Sequence, residues 1–218
     1  MQGGALMLHE QYRPKCWDDF AGNDKAVKRL RAVIERPNYT GGAFWIDGPS
    51  GIGKTSLAWL IAGSLGVSEF DCEEIDGDGC SVDRVRSLSE SLRFRSLTGG
   101  FRAVIVNEAH AMTARAVQAW LTLLERLPVK VVVVFTTTQG RTESLFGDFD
   151  DPLKSRCLQF SLSSYGIADA FAARAQMIAQ REGLDGQPIA KYKRLVSDCR
   201  NNLRAVLGEI EAGNMLPE

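Results

Sequence analysis

The sequence has little that would mark it for export, for a membrane or for an unaided polyanion. No apolar run approaches the roughly 20 residues that a bilayer-spanning helix needs. The opening MQGGALMLHEQYRP lacks a basic stretch followed by an apolar one, so a cytoplasmic protein without membrane contact is expected. Neither sign of charge is in surplus: 26 Lys and Arg face 27 Asp and Glu, for a net charge of -1. The field of the whole molecule therefore steers no nucleic acid, and any DNA contact must come from a local basic face. Histidine is scarce, with two residues, and the five cysteines, Cys16, Cys72, Cys80, Cys157 and Cys199, form no CxxC pair. Neither a disulfide framework nor a structural zinc site is expected on these spacings. At 218 residues the chain has room for one large α/β domain and a small second one, but not for a two-motor helicase.

What is present is an alternation of short apolar runs with helical patterns, the signature of a parallel sheet covered on both faces. Strands are expected at Ala43–Asp47, Phe70–Ile75, Phe101–Asn107, Lys130–Thr137 and Leu158–Phe160. Val131 to Phe135 is unbroken and almost wholly β-branched, as suits a central strand. Val117, Trp120, Leu121 and Leu124 fall at helical spacing, as do Leu57, Leu60, Ile61 and Leu65, and Asn23 or Asp24 can cap a helix carrying Val27, Leu30 and Ile34. After Phe160 only helical patterns follow, near Ser164–Arg181, Lys191–Cys199 and Asn202–Ala212, with Gly183 and Gly186 marking a break. The expected architecture is a P-loop α/β domain over residues 1–162, with a five-stranded parallel sheet sandwiched by helices, and a three-helix lid over 163–218.

Gly48-Pro49-Ser50-Gly51-Ile52-Gly53-Lys54-Thr55 matches GxxxxGK[ST] at every fixed position and lies between an apolar strand and an amphipathic helix. Glycines let successive backbone N–H groups point inward around phosphates, and the following helix presents its positive end. Lys54 can reach the outer phosphates and Thr55 can hold magnesium, with Ser56 next in the same first turn. ATP and Mg2+ are the expected ligands.

A second signal is Val104-Ile105-Val106-Asn107-Glu108-Ala109-His110, an apolar strand that ends in polar groups. Glu108 is placed to orient and polarise an attacking water. Asn107 stands where such ATPases usually carry an aspartate beside magnesium. An amide keeps an acceptor oxygen but not the charge, and a loss of about 1–2 kcal/mol would slow hydrolysis roughly tenfold. On this reading Asn107→Asp should raise turnover.

With these pieces quoted, the sequence resembles the clamp-loader branch of the AAA+ ATPases, the small subunits of replication factor C and the bacterial gamma/tau subunit, from about Leu8 to Ala212. Glu10-Gln11-Tyr12-Arg13-Pro14-Lys15 and Trp17-Asp18-Asp19-Phe20 look like the opening segment of that family, with Gly22-Asn23 where Gly-Gln is common. Glu74-Ile75-Asp76-Gly77 through Val82-Asp83-Arg84-Val85-Arg86 resembles its second strand and following helix. Thr137-Thr138 matches the sensor-1 end of the fourth strand, Ser155-Arg156-Cys157 the SRC motif, and Leu203-Arg204 the sensor-2 arginine. The resemblance implies that Tyr12, Arg13 and Pro14 back the adenine, that Thr138 and Arg204 serve the nucleotide, and that Arg156 points at the ATP of a neighbouring subunit. An arginine suits that task because its planar, permanently charged fork can neutralise charge developing on a γ-phosphate. Arg84, Arg86, Arg93 and Arg95 are the implied DNA contacts.

The chain departs from the family in three places. Leu65 to Glu74 is too short for the zinc module of gamma/tau, Gln139 to Lys154 is longer than the usual connection before SRC, and the match ends where the helical collar would begin. A chain lacking collar and zinc module is therefore expected. Two functions stay open: a motor subunit that uses ATP binding and hydrolysis to assemble a clamp or other complex on DNA in replication, working with other AAA+ subunits as a homo- or hetero-oligomer, a sliding clamp and DNA; or a non-hydrolysing or weakly hydrolysing adaptor, from a mobile element or virus, that recruits a DNA-processing partner.

Overall fold

The computed structural model describes residues 7–96, 99–138 and 152–217. The described helices are α1 (Leu8–Gln11), α2 (Asp24–Ile34), α3 (Lys54–Ser64), α4 (Val82–Ser91), α5 (Ala114–Glu125), α6 (Ala168–Glu182), α7 (Ile189–Asp198) and α8 (Leu203–Glu211), and the strands are β1 (Gly41–Gly48), β2 (Cys72–Asp76), β3 (Arg102–Asn107), β4 (Val131–Thr138) and β5 (Leu158–Ser161). The chain divides into two compact units. One holds residues 25–48 and 54–162; the other holds 49–53, the described residues up to 24 and those from 163 onward.

The larger unit is the expected five-stranded sheet, in the order β2-β3-β4-β1-β5 with every neighbouring pair parallel. Parallel neighbours need crossovers, and the helices between the strands provide them. β4 is buried from Val131 to Thr137, which is why its sequence shows no alternation. Alternation survives in how neighbours divide between the faces. Ala43 and Trp45 of β1 join Val104, Val106, Val133 and Phe135 in one core, capped by Val85 and Leu88 of α4 and by Val117, Trp120 and Leu121 of α5. Trp120 meets the Phe135 ring edge-on, 5.1 Å between centroids. By the same alternation Phe44, Ile46, Ile105 and Val134, all fully buried, turn to the other face, which α3 covers with Leu57 and Ile61. α4 and α5 begin at Ser81 and Thr113, whose hydroxyls accept from the amides of Arg84 and Ala116.

One strand starts later than its apolar content suggests. Phe70 is 92% exposed, and Glu69–Asp71 forms a 3-10 turn before β2. The cause is Asp71, a buried carboxylate that accepts from the hydroxyls of Ser68 and Ser96 at 2.8 Å each and so commits the backbone to a turn.

In the smaller unit the three expected helices α6, α7 and α8 pack together, and α1 lies on α8. Tyr192 of α7 is wholly buried with its hydroxyl donated to Asp185 at 2.9 Å. Arg174 of α6 binds Asp19 at 3.1 Å and the Tyr12 carbonyl at 3.4 Å, tying the opening segment to this helix.

Candidate functional site

Because the strands are parallel, their C-terminal ends share one edge of the sheet, where open α/β folds bind ligands. The register sets Gly48 of β1 opposite Thr138 of β4, and Asp76 of β2 opposite Asn107 of β3. Within the larger unit this edge gathers Lys54, Thr55, Asn107, Glu108 and Thr138.

Lys54 opens α3 and is 6% exposed; its Nζ donates to the Gly48 carbonyl at 3.0 Å and to Thr138 Oγ1 at 3.3 Å. Thr55 donates its hydroxyl to Asn107 Oδ1 at 2.9 Å, and Thr136 donates to the same oxygen at 3.0 Å. The other end of the Asn107 amide donates through Nδ2 to Glu74 Oε1 at 2.5 Å, and Trp59 Nε1 donates to Glu74 Oε2 at 2.9 Å. Glu108 follows β3 in the left-handed region, φ 47° and ψ 48°, which ends the strand and turns its carboxylate to Thr138. Thr138 Oγ1 stands 3.2 and 3.1 Å from its two oxygens. His110 Nδ1 lies 3.4 Å from Glu108 Oε2 and 3.0 Å from Thr137 Oγ1. Gly77, just after β2, is held tight: a Cβ there would stand 2.3 Å from the Glu108 carbonyl oxygen.

In the smaller unit the loop residues Pro49, Ser50, Gly51, Ile52 and Gly53 meet the start of α8. Leu203 donates its amide to the Gly51 carbonyl at 3.1 Å, and Asn202 caps α8. Gly51 has φ +71°, and a Cβ there would stand 1.8 Å from Asn202 Oδ1, so two independent constraints demand glycine. Arg204, one residue after Leu203, is exposed and forms no ion pair among the described residues. Ile52 is buried, while Ser56, back in the larger unit, is half-buried in the first turn of α3. Tyr12 donates its hydroxyl to Glu182 at 2.5 Å, and that bond raises its pKa above the ordinary value; Arg13 and Pro14 are half-buried beside it in sequence.

Arg156 has other partners. It ends the 3-10 turn before the edge strand β5, and its guanidinium binds Glu125 at the end of α5 at 2.9 Å and the Pro152 carbonyl at 3.0 Å. Cys157 is buried and gives its thiol to the Leu153 carbonyl at 3.2 Å. Of the four arginines implied for DNA, Arg84 is paired with Glu73 and Arg86 with Asp83, whereas Arg93 and Arg95 are exposed with no ion pair among the described residues. Burial pushes the Cys72 thiol up to about 12. The long connection expected before SRC lies, for residues 139–151, outside the described residues. Among the described residues no helix is long and apolar enough to cross a membrane.

The sequence missed Glu74, Trp59 and Thr136 as parts of this edge. None gave a distinct signal: Glu74 is one of three acidic residues in β2, beside Glu73 and Asp76.

Comparison with known proteins finds similarity to replication proteins. A family model described as DNA polymerase III, delta subunit, matches residues 66–165. Replication factor C small subunits from Natronomonas pharaonis and Thermofilum pendens are each 27% identical, over 84% and 95% of this chain. The DNA polymerase III subunit tau/gamma of Haemophilus influenzae is 27% identical over 72% of it. This chain spans 55%, 62% and 25% of those three relatives. Among solved structures, the Thermotoga maritima RuvB Holliday junction branch migration motor superposes with a TM-score of 0.73 over 92% of this chain and 64% of its own, at 20% identity, a likeness of fold alone.

Proposed function

We propose that the chain is a member of the clamp-loader branch of the AAA+ ATPases, a reading its similarity to those proteins supports, and that it binds and hydrolyses Mg-ATP as a motor module, driving assembly of a clamp or a related complex on DNA in replication. The observation that carries this reading is the meeting of Lys54, Thr55, Asn107, Glu108 and Thr138 at one sheet edge. The loop from Gly48 to Thr55 supplies backbone N–H groups and a lysine for the phosphates. Glu108, held by Thr138, orients and polarises the water that attacks. The Thr55 hydroxyl and the Asn107 amide oxygen are hard oxygen donors that fit magnesium. Held by these two oxygens, magnesium would supply positive charge to offset the charge that develops on the phosphate. Arg204, Tyr12, Arg13 and Pro14 are proposed nucleotide contacts on the strength of the resemblance, as is the division into a nucleotide-binding domain over 1–162 and a lid over 163–218. Arg156 is proposed to serve the site of an adjoining AAA+ subunit.

Titration with a fluorescent ATP analogue tests the core of this reading. Lys54→Ala should weaken binding at least a hundredfold, because Lys54 is the cation of the loop. Equal affinity in the two proteins would sink the assignment. Asn107 favours a second reading, a weakly hydrolysing adaptor. A turnover that stays near zero with DNA and partner subunits present, although ATP binds, would select it.

A further inference from the structure

The acidic charge missing at position 107 is present one strand away. Asn107 uses both ends of its amide: Oδ1 accepts from Thr55 at 2.9 Å and Thr136 at 3.0 Å, and Nδ2 donates to Glu74 at 2.5 Å. Two hydroxyls on one side and a carboxylate on the other leave the amide a single orientation that satisfies every partner. Glu74 is fixed in turn, because its second oxygen takes the Trp59 indole N–H at 2.9 Å. The alternation of β2 explains the placement. Glu73 turns to Arg84 of α4, on one face, and Glu74 to Trp59 of α3, on the other.

We infer that Glu74 is a positioning residue for the nucleotide site: it orients and polarises the Asn107 amide, so that a Glu74–Asn107 pair does for Thr55 what a lone aspartate at 107 would do. The inference rests on the Mg-nucleotide reading of this site. An anion bonded to Nδ2 draws the amide dipole so that Oδ1 becomes the more negative end, strengthening the bond from the Thr55 hydroxyl. Position 74 then carries the charge and position 107 the geometry.

This arrangement revises the expectation that Asn107→Asp alone raises turnover. An aspartate at 107 would turn one oxygen toward the Glu74 carboxylate, and two carboxylates cannot share that contact in their charged forms. Glu74→Gln alone also fails. If its amide oxygen faces Asn107 Nδ2, its NH2 faces the Trp59 N–H, donor against donor. If it is turned round, the Asn107 amide must turn with it, and its oxygen leaves Thr55. The double exchange Glu74→Gln with Asn107→Asp satisfies all four groups: the glutamine oxygen takes the Trp59 N–H, its NH2 donates to Asp at 107, and the remaining carboxylate oxygen accepts from Thr55 and Thr136. Net charge is unchanged.

The experiment is a double-mutant cycle on the affinity for a fluorescent ATP analogue, measured with magnesium and again in EDTA. Each single variant should lose about tenfold of the magnesium-dependent gain in affinity, the scale of one charge-assisted hydrogen bond. The double exchange should recover to within about threefold of wild type, and affinities in EDTA should stay together across all four proteins. Trp59→Phe, which removes one anchor of Glu74 and leaves Asn107 untouched, should show an intermediate loss and serves if a variant at 74 folds poorly. A double exchange no better than the product of its singles overturns the inference while leaving the nucleotide site in place. If the wild type shows no magnesium-dependent binding, the functional reading fails and takes the inference with it.

Discussion

Thr138 shares one hydroxyl between two charged side chains: it donates to Glu108, 3.1 Å from Oε2, and accepts from Lys54 Nζ at 3.3 Å. The end of β4 thus couples the lysine proposed to meet phosphate to the carboxylate proposed to handle water. A change felt by Lys54 reaches Glu108 through a single oxygen.

Thr138→Val keeps the shape and removes the hydroxyl. Turnover should fall about tenfold or more, the scale of a mispositioned base, while affinity for ATP changes less than threefold. Thr138→Ser should keep most of the activity. Steady-state ATPase assays paired with nucleotide titration separate the two effects, and an affinity loss with unchanged turnover would assign Thr138 to binding alone.

Arg156 is held at the edge of its own unit by Glu125 and Pro152, so its action is expected in trans. Arginines supplied to a neighbouring site are worth about 10³–10⁵ in rate in other P-loop enzymes. Arg156→Ala and Glu108→Gln chains, each nearly inactive, should regain activity above their mean when mixed with any partner subunits, because one chain lends the arginine that the other lacks. Mixing that restores nothing in a demonstrably assembled complex would make Arg156 structural.

Gly51→Ala tests the loop. A side chain at φ +71° costs about 1–2 kcal/mol before any clash with Asn202, so the melting temperature should drop by roughly 3–8 °C. Asn202→Ala in the same chain should relieve part of that loss by opening the space. A melting temperature unchanged in Gly51→Ala would mean that the loop can leave this conformation freely.

The fold was legible where periodicity is strong: five strands and the three C-terminal helices follow from apolar spacing, and the phosphate loop from its fixed residues. β2 began later than expected because Asp71, polar in sequence, is buried and shapes the turn, while Phe70, apolar in sequence, is exposed. Pattern reasoning assumes the reverse for both. The chemistry at Asn107 was half legible. The sequence shows which charge is lost at that position but not that Glu74, far off in the chain, meets the same amide and is itself held by Trp59.

Asp19 predicts an acid response in the smaller unit. Burial pushes its carboxyl up, but hydrogen bonds from Cys16 and Arg174, with the Arg174 charge, outweigh that and hold it below the ordinary 3.8. A depressed folded-state value means that the pair stabilises above the ordinary carboxylate range and that its contribution is lost as pH falls through the folded value. Arg174→Gln should therefore lower the melting temperature at neutral pH by roughly 2–4 °C, about 1 kcal/mol. The gap to wild type should close as pH drops below 3.8. A gap that persists undiminished in acid would mean that Arg174 acts by packing and not by charge.

Gly77 carries no functional group, yet a methyl there would collide with the carbonyl of Glu108. The backbone of Glu108 already sits in a left-handed turn and cannot retreat at no cost. In a screen for lost ATPase function, alleles at Gly77 would be recovered beside those at Glu108 and mistaken for lesions in the chemistry, although glycine has no side chain to take part in it.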